Sequence, residues 1–84
     1  MSRRPSDAQI EHSMQELLDR RAPKTICPSE VARAVGDESW RDLMEPVRQV
    51  AWRLAGEGEL EVTQRGEPVE REGLRGPIRL RRPR

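Results

Sequence analysis

The sequence predicts an α+β domain: three helices followed by a small antiparallel β-hairpin. Three observations carry that prediction. Ile10, Met14, Leu17 and Leu18, and later the apolar residues between Trp40 and Leu54, recur at helical spacing. The stretches "ELEVTQ" (59–64) and "PIRLRR" (77–82) alternate apolar and polar side chains, as half-buried strands do. Gly56 and Gly58 stand between the two regimes, where a helix must stop before a strand can begin. At 84 residues, only roughly 60 to 65% of the unfolded surface can be buried, which allows a single small core and one domain.

The elements follow in order. Residues 1–5 read as a flexible basic arm, the domain as 6–82, and 83–84 as a tail. Ser6 followed by Gln9 has the spacing of a capping box, so the first helix starts there and runs to Arg20 or Arg21, before Ala22 and Pro23 end it. Thr25 and Ile26 are a strand stub. Pro28 suits the first position of a second helix, Glu30 complements its dipole, Val31, Ala34 and Val35 form its apolar face, and Gly36 closes it.

Ser39 is expected to cap the third helix, whose stripe runs through Trp40, Leu43, Met44, Val47, Val50, Ala51 and Leu54. Pro46 lacks an amide hydrogen, so a kink or a restart is expected near Glu45. In the first strand Leu60 and Val62 point inward and Glu59, Glu61 and Thr63 outward. Ile78 and Leu80 belong to its partner, and "RGEPVEREGLRG" between them reads as a long exposed loop.

Helix, strand stub, short helix, turn, long helix and two strands form the order of a winged helix. In that architecture the second and third helices make a helix-turn-helix and the hairpin makes the wing. The segments "TICPSEVARAVG", "WRDLMEPVRQVAWRLAGEGELEVTQRGEPV" and "GPIRLRR", which cover about residues 25–82, resemble a small bacterial family of winged-helix type catalogued as a domain of unknown function. The resemblance implies the fold and no activity.

Composition argues against an enzyme. There is one His, one Cys, no Tyr, and no phosphate loop or metal-ligand spacing, so neither cofactor nor metal is expected. Cys27 is the sole candidate nucleophile, and it reads more simply as a small apolar residue at a strand–helix junction. His12 falls on the outer face of the first helix. Glu57, Glu59 and Glu61 belong to the strand and its approach rather than to an acid–base pair. No apolar run approaches the roughly 18 residues of a membrane span, and "MSRRPSDAQ" lacks the apolar core of a signal peptide, so a cytoplasmic protein is expected.

Charge points toward binding. Residues 1–72 hold all 15 acids, whereas 73–84 hold none and carry Arg75, Arg79, Arg81, Arg82 and Arg84, so a cationic end follows an acidic body. The same arginines could instead guard an edge strand. On a helical wheel Gln49, Trp52 and Arg53 lie about 140 to 240° from Val47, opposite the core, with Arg48 on the flank. The leading expectation is therefore duplex DNA, with Arg48, Gln49, Trp52 and Arg53 at the reading helix, Arg41 on phosphate near its start, and Arg65, Arg79, Arg81 and Arg82 on the backbone. Asp42, Glu45 and the mixed-charge wing oppose phosphate. The alternative is a protein-interaction module using the Trp52 face and the wing. Oligomeric state is left open.

Overall fold

The computed structural model describes residues 4–83; most of the expected arm, residues 1–3, and Arg84 of the expected tail lie outside the described residues. Helix α1 (Asp7–Arg21) opens on the expected capping box, with Ser6 Oγ accepting from Gln9 N at 3.1 Å and Gln9 Oε1 accepting from Ser6 N at 2.8 Å. Ile10, Met14 and Leu18 are fully buried along one stripe, and Leu17 is half-buried on its flank. The helix ends at a cis Ala22–Pro23 bond.

Helix α2 (Pro28–Val35) begins with Pro28 at its first position, and Glu30 reaches back so that Cys27 N donates to its Oε2 at 2.7 Å. Its buried face is Pro28, Val31 and Ala32; Ala34, expected inward, is exposed. Over eight residues the face is set by the contact with α1 and α3, and it rotates one position from the expected stripe. Gly36 closes the helix in extended backbone (φ −103°) rather than in the left-handed conformation of many terminal glycines. Its glycine identity comes from space: a Cβ there would lie 2.7 Å from Leu43 Cδ1 and 2.8 Å from Ala32 O.

The third helical segment divides in two, a 3-10 turn at Trp40–Leu43 and helix α3 (Met44–Gly56). Pro46 sits in the first turn of α3, where a missing amide hydrogen breaks no helical bond, so the expected restart is what the chain adopts. Ser39 makes no side-chain cap; Asp37 Oδ1 instead accepts from Ser39 N at 2.8 Å. The stripe survives the change of helix type, with Leu43, Val47, Val50, Ala51 and Leu54 all buried.

The sheet differs most from expectation. Strands β1 (Glu61–Gln64), β2 (Glu67–Pro68) and β3 (Arg79–Arg81) form an antiparallel sheet in the order β2-β1-β3. Arg65 (φ 52°) and Gly66 (φ 83°) make a two-residue hairpin turn, so the supposed loop at 65–76 starts as a second strand. Positive φ at both central residues matches the right-handed twist of the flanking strands. Val69 N extends the pairing to Val62 O, and Gln64 Nε2 donates to Arg75 O at 2.6 Å and Pro77 O at 3.1 Å, holding the returning segment against the hairpin. Thr63, expected outward, is buried, and its Oγ1 donates to Arg79 O. Ile26 closes the outer edge of β3 through paired backbone bonds with Leu80, both 2.8 Å.

The result is an α+β, winged-helix-like arrangement in which three helices pack pairwise and the sheet lies on α3. Leu60, Val62, Ile78 and Leu80 join the helical residues in one core. Among the described residues no helix is long and apolar enough to cross a membrane.

Candidate nucleic-acid interface

Helix α3 presents Glu45, Arg48, Gln49 and Trp52, spaced i, i+3, i+4 and i+7, to a cleft of about 240 Å³ whose other wall is Arg71, Leu74, Gly76 and Ile78. Trp52 is half-buried there and packs on the core, with Leu74 and Ile78 of the returning segment lining the same cleft. Gln49 is engaged on both sides: its Nε2 donates to Glu45 Oε1 and its Oε1 accepts from Arg71 Nη2, each at 3.0 Å. An amide used in this way is not poised to read a base edge unless Arg71 lets go. Arg48 is exposed and takes part in no ion pair among the described residues.

Arg53, also placed by sequence on the reading face, ties α3 to α1. Its guanidinium donates to Glu11 Oε1 and, at 3.3 Å, to Glu57 Oε2. The bond to Glu11 raises its pKa further above the ordinary arginine range. Such a residue serves the helix pair before it serves a ligand.

Arg79, Arg81 and Arg82 likewise bond to neighbouring elements. Arg81 has a side chain only 8% exposed; its Nε donates to Glu61 Oε1 at 2.8 Å and its Nη1 to Gly66 O at 3.2 Å. The expectation that Arg81 meets a phosphate backbone is corrected by this burial, because strand register at the Glu61–Arg81 pair puts the two side chains together. Arg79 donates to Thr25 Oγ1 (2.8 Å), Cys27 Sγ (2.7 Å) and Thr25 O (3.4 Å), fastening the strand stub. Arg82 pairs with Asp19 at 2.7 Å and donates to Glu59 O and Gln15 O, joining the sheet to α1. Of the cationic end inferred from charge counting, Arg81 and Arg82 are bracing, Arg79 fastens an edge while exposed, and Arg75 stands exposed.

Arg41 and Arg65 lie elsewhere. Arg65 stands exposed at the tip of the β1–β2 hairpin. Arg41, in the 3-10 turn, stacks over the Trp40 ring with its Cζ 4.5 Å from the centroid, and Arg33 of α2 stacks over the same ring at the same distance. Arg33 and Trp40 were not among the expected contact residues. The sequence signal for them is weak, since Arg33 and Trp40 are seven positions apart across a turn.

Cys27 caps α2, half-buried, with the Arg79 guanidinium on its sulfur. Glu30 is held below its ordinary carboxyl pKa, first by the bond from Cys27 N and then by Arg21, whose Nη2 lies 2.6 Å away. Among the described residues no group of three or more His, Cys, Asp or Glu could hold a metal ion. His12 is on the solvent side of α1, 3.7 Å from Glu16.

A search of curated proteins finds no match to this chain. Residues 7–83, from the first residue of α1 to just beyond β3, match the family described as "Protein of unknown function (DUF3253)". With the match spanning nearly the whole chain, the protein belongs to the DUF3253 family.

Proposed function

We propose that this is a non-enzymatic winged-helix domain of the bacterial cytoplasm that binds duplex DNA, with α3 toward the major groove and the β1–β2 hairpin tip toward the backbone. One observation supports the reading above others: the arginines are sorted. Those with carboxylate partners, Arg20, Arg21, Arg53, Arg81 and Arg82, brace α1 or join elements. Eight arginines, Arg4, Arg33, Arg41, Arg48, Arg65, Arg71, Arg75 and Arg79, are exposed with no such partner among the described residues; of these Arg71 and Arg79 are engaged by neutral acceptors, and Arg33, Arg41, Arg48 and Arg65 stand on the helix-turn-helix or the hairpin tip. These are the two places from which a winged helix reaches a duplex.

The four cations on the helix-turn-helix and the hairpin tip are a modest footprint on a chain of net charge +1. Binding should therefore be weak and strongly salt-dependent, with log K falling against log salt at a slope of about −3 to −4. Fluorescence anisotropy of the whole chain on random duplex, from low to physiological salt, tests this. A slope in that range supports the reading; no binding at low salt refutes it.

The second reading, a protein-interaction module, is favoured by the cleft. Trp52, Leu74 and Ile78 offer apolar surface ringed by Glu45, Arg48 and Arg71, a mixture closer to a protein interface than to a phosphate track. Trp52→Ala separates the two. It should leave the DNA salt slope unchanged if phosphate contacts dominate, and should abolish association with a protein partner.

A further inference from the structure

Arg33 and Arg41 share one indole. Each guanidinium carbon lies 4.5 Å from the Trp40 centroid, so one indole holds two positive charges at the junction of α2 and the 3-10 turn. Stacking engages the face of a guanidinium and leaves its in-plane N–H groups for acceptors. Neither side chain forms an ion pair among the described residues, although Asp37, Glu38 and Asp42 belong to the same turn. Five other arginines of this chain do pair with carboxylates.

Two cations held on one indole, neither offset by a carboxylate among the described residues, make a local positive potential that the successive phosphates of a nucleic-acid backbone can neutralise. A platform that also fixes their orientation lowers the entropy lost when a phosphate binds. Trp40 is itself fixed: it is half-buried against the core, and its neighbour Leu43 packs over Gly36, where no Cβ could fit. The stack therefore rests beside a close approach of the 3-10 turn to the end of α2.

We infer that Arg33, Trp40 and Arg41 form a phosphodiester clamp that grips the backbone of a bound duplex beside α3. Arg33 and Arg41 contact the phosphate oxygens, and Trp40 is a positioning residue that holds both. This inference rests on the duplex-binding reading and adds to it a definite site, outside both the α3 cleft and the hairpin tip.

The experiment is salt-dependent anisotropy of the full chain on duplex DNA for wild type, R33Q, R41Q, W40F and W40L, with R20Q as a control of equal charge change on α1. Circular dichroism verifies folding of each. R33Q and R41Q should each weaken binding about tenfold and reduce the salt slope by about one. W40L should lose affinity with both arginines still present, W40F should recover part of it, and R20Q should leave the slope unchanged. In a W52F background Trp40 is the sole tryptophan, and its emission should change on adding duplex and become less accessible to iodide.

If wild type binds but R33Q and R41Q match it, or Trp40 emission does not respond, the clamp is wrong and the duplex reading stands on α3 and the hairpin. If R20Q falls as far as R41Q, net charge rather than a clamp is responsible. If wild type binds no duplex at low salt, both inferences fall.

Discussion

Arginines in two parts of this molecule have the same chemistry and opposite situations. In and after β3, Arg79, Arg81 and Arg82 are committed to neighbouring elements, Arg79 along an exposed edge and Arg81 and Arg82 further in, and satisfy Thr25, Cys27, Glu61, Gly66, Asp19, Glu59 and Gln15. Around the helix-turn-helix, Arg33, Arg41 and Arg48 face solvent, two of them held by an indole and none by a carboxylate among the described residues. The difference teaches that a cluster of charge in sequence is not a cluster of charge on a surface. A small core with few aromatic residues uses guanidinium groups as long, many-donor braces between elements, and only the remainder is available to a partner.

The contrast can be broken most forcefully at Arg81. Arg81→Ala leaves Glu61 and Gly66 O without their donor beneath the hairpin, and should cost roughly 2 to 4 kcal/mol in urea unfolding, below the full cost of a buried pair because Glu61 is 31% exposed. A loss under about 0.5 kcal/mol would mean that the brace is incidental. Gly36→Ala comes next. Its Cβ would crowd Leu43 and Ala32 O, so roughly 1 to 3 kcal/mol of destabilisation is expected, measured the same way. It would also disturb the Trp40 platform, and duplex affinity should fall with stability.

Glu30→Gln probes a brace through pH. Folding lowers the Glu30 pKa, so the unfolded chain takes up the proton more readily. Its stabilising contribution is complete above the ordinary value of 4.5 and is lost as pH falls through the lower folded value. The variant should lose about 1 kcal/mol at neutral pH, and its deficit relative to wild type should shrink as the midpoint is followed into that acid window. A deficit constant with pH would contradict the assignment. The smallest stability effect is expected at Arg48→Gln: within about 0.5 kcal/mol of wild type in the same unfolding experiment, while duplex affinity drops.

The helices were largely legible because their signals are local. Ser6 and Gln9, Pro28 and Glu30, and the stripe from Leu43 to Leu54 each lie within a few turns of one another. The restart at Pro46 follows from one missing amide hydrogen. Strand β2 was not legible, because Arg65-Gly66 is not among the Asn-Gly or Asp-Gly pairs that announce a two-residue turn, and a two-residue strand has no period to detect. The candidate site was legible only in part. Arg48 and Trp52 follow from a helical wheel, but the fate of Arg82 depends on Asp19, 63 positions earlier, and that of Arg53 on Glu11, 42 positions earlier. Such pairings are set by tertiary packing, and no spacing rule reaches them.

The most direct measurement compares two double variants of equal charge change, R41Q/R48Q and R79Q/R82Q, by the salt dependence of duplex binding. The helix-turn-helix pair should reduce the log–log slope by about two at unchanged stability, whereas the sheet pair should lower the unfolding midpoint and leave the slope of the folded protein as it was. Equal loss of slope in both variants, or loss only in R79Q/R82Q, would contradict the division of the arginines into braces and contacts.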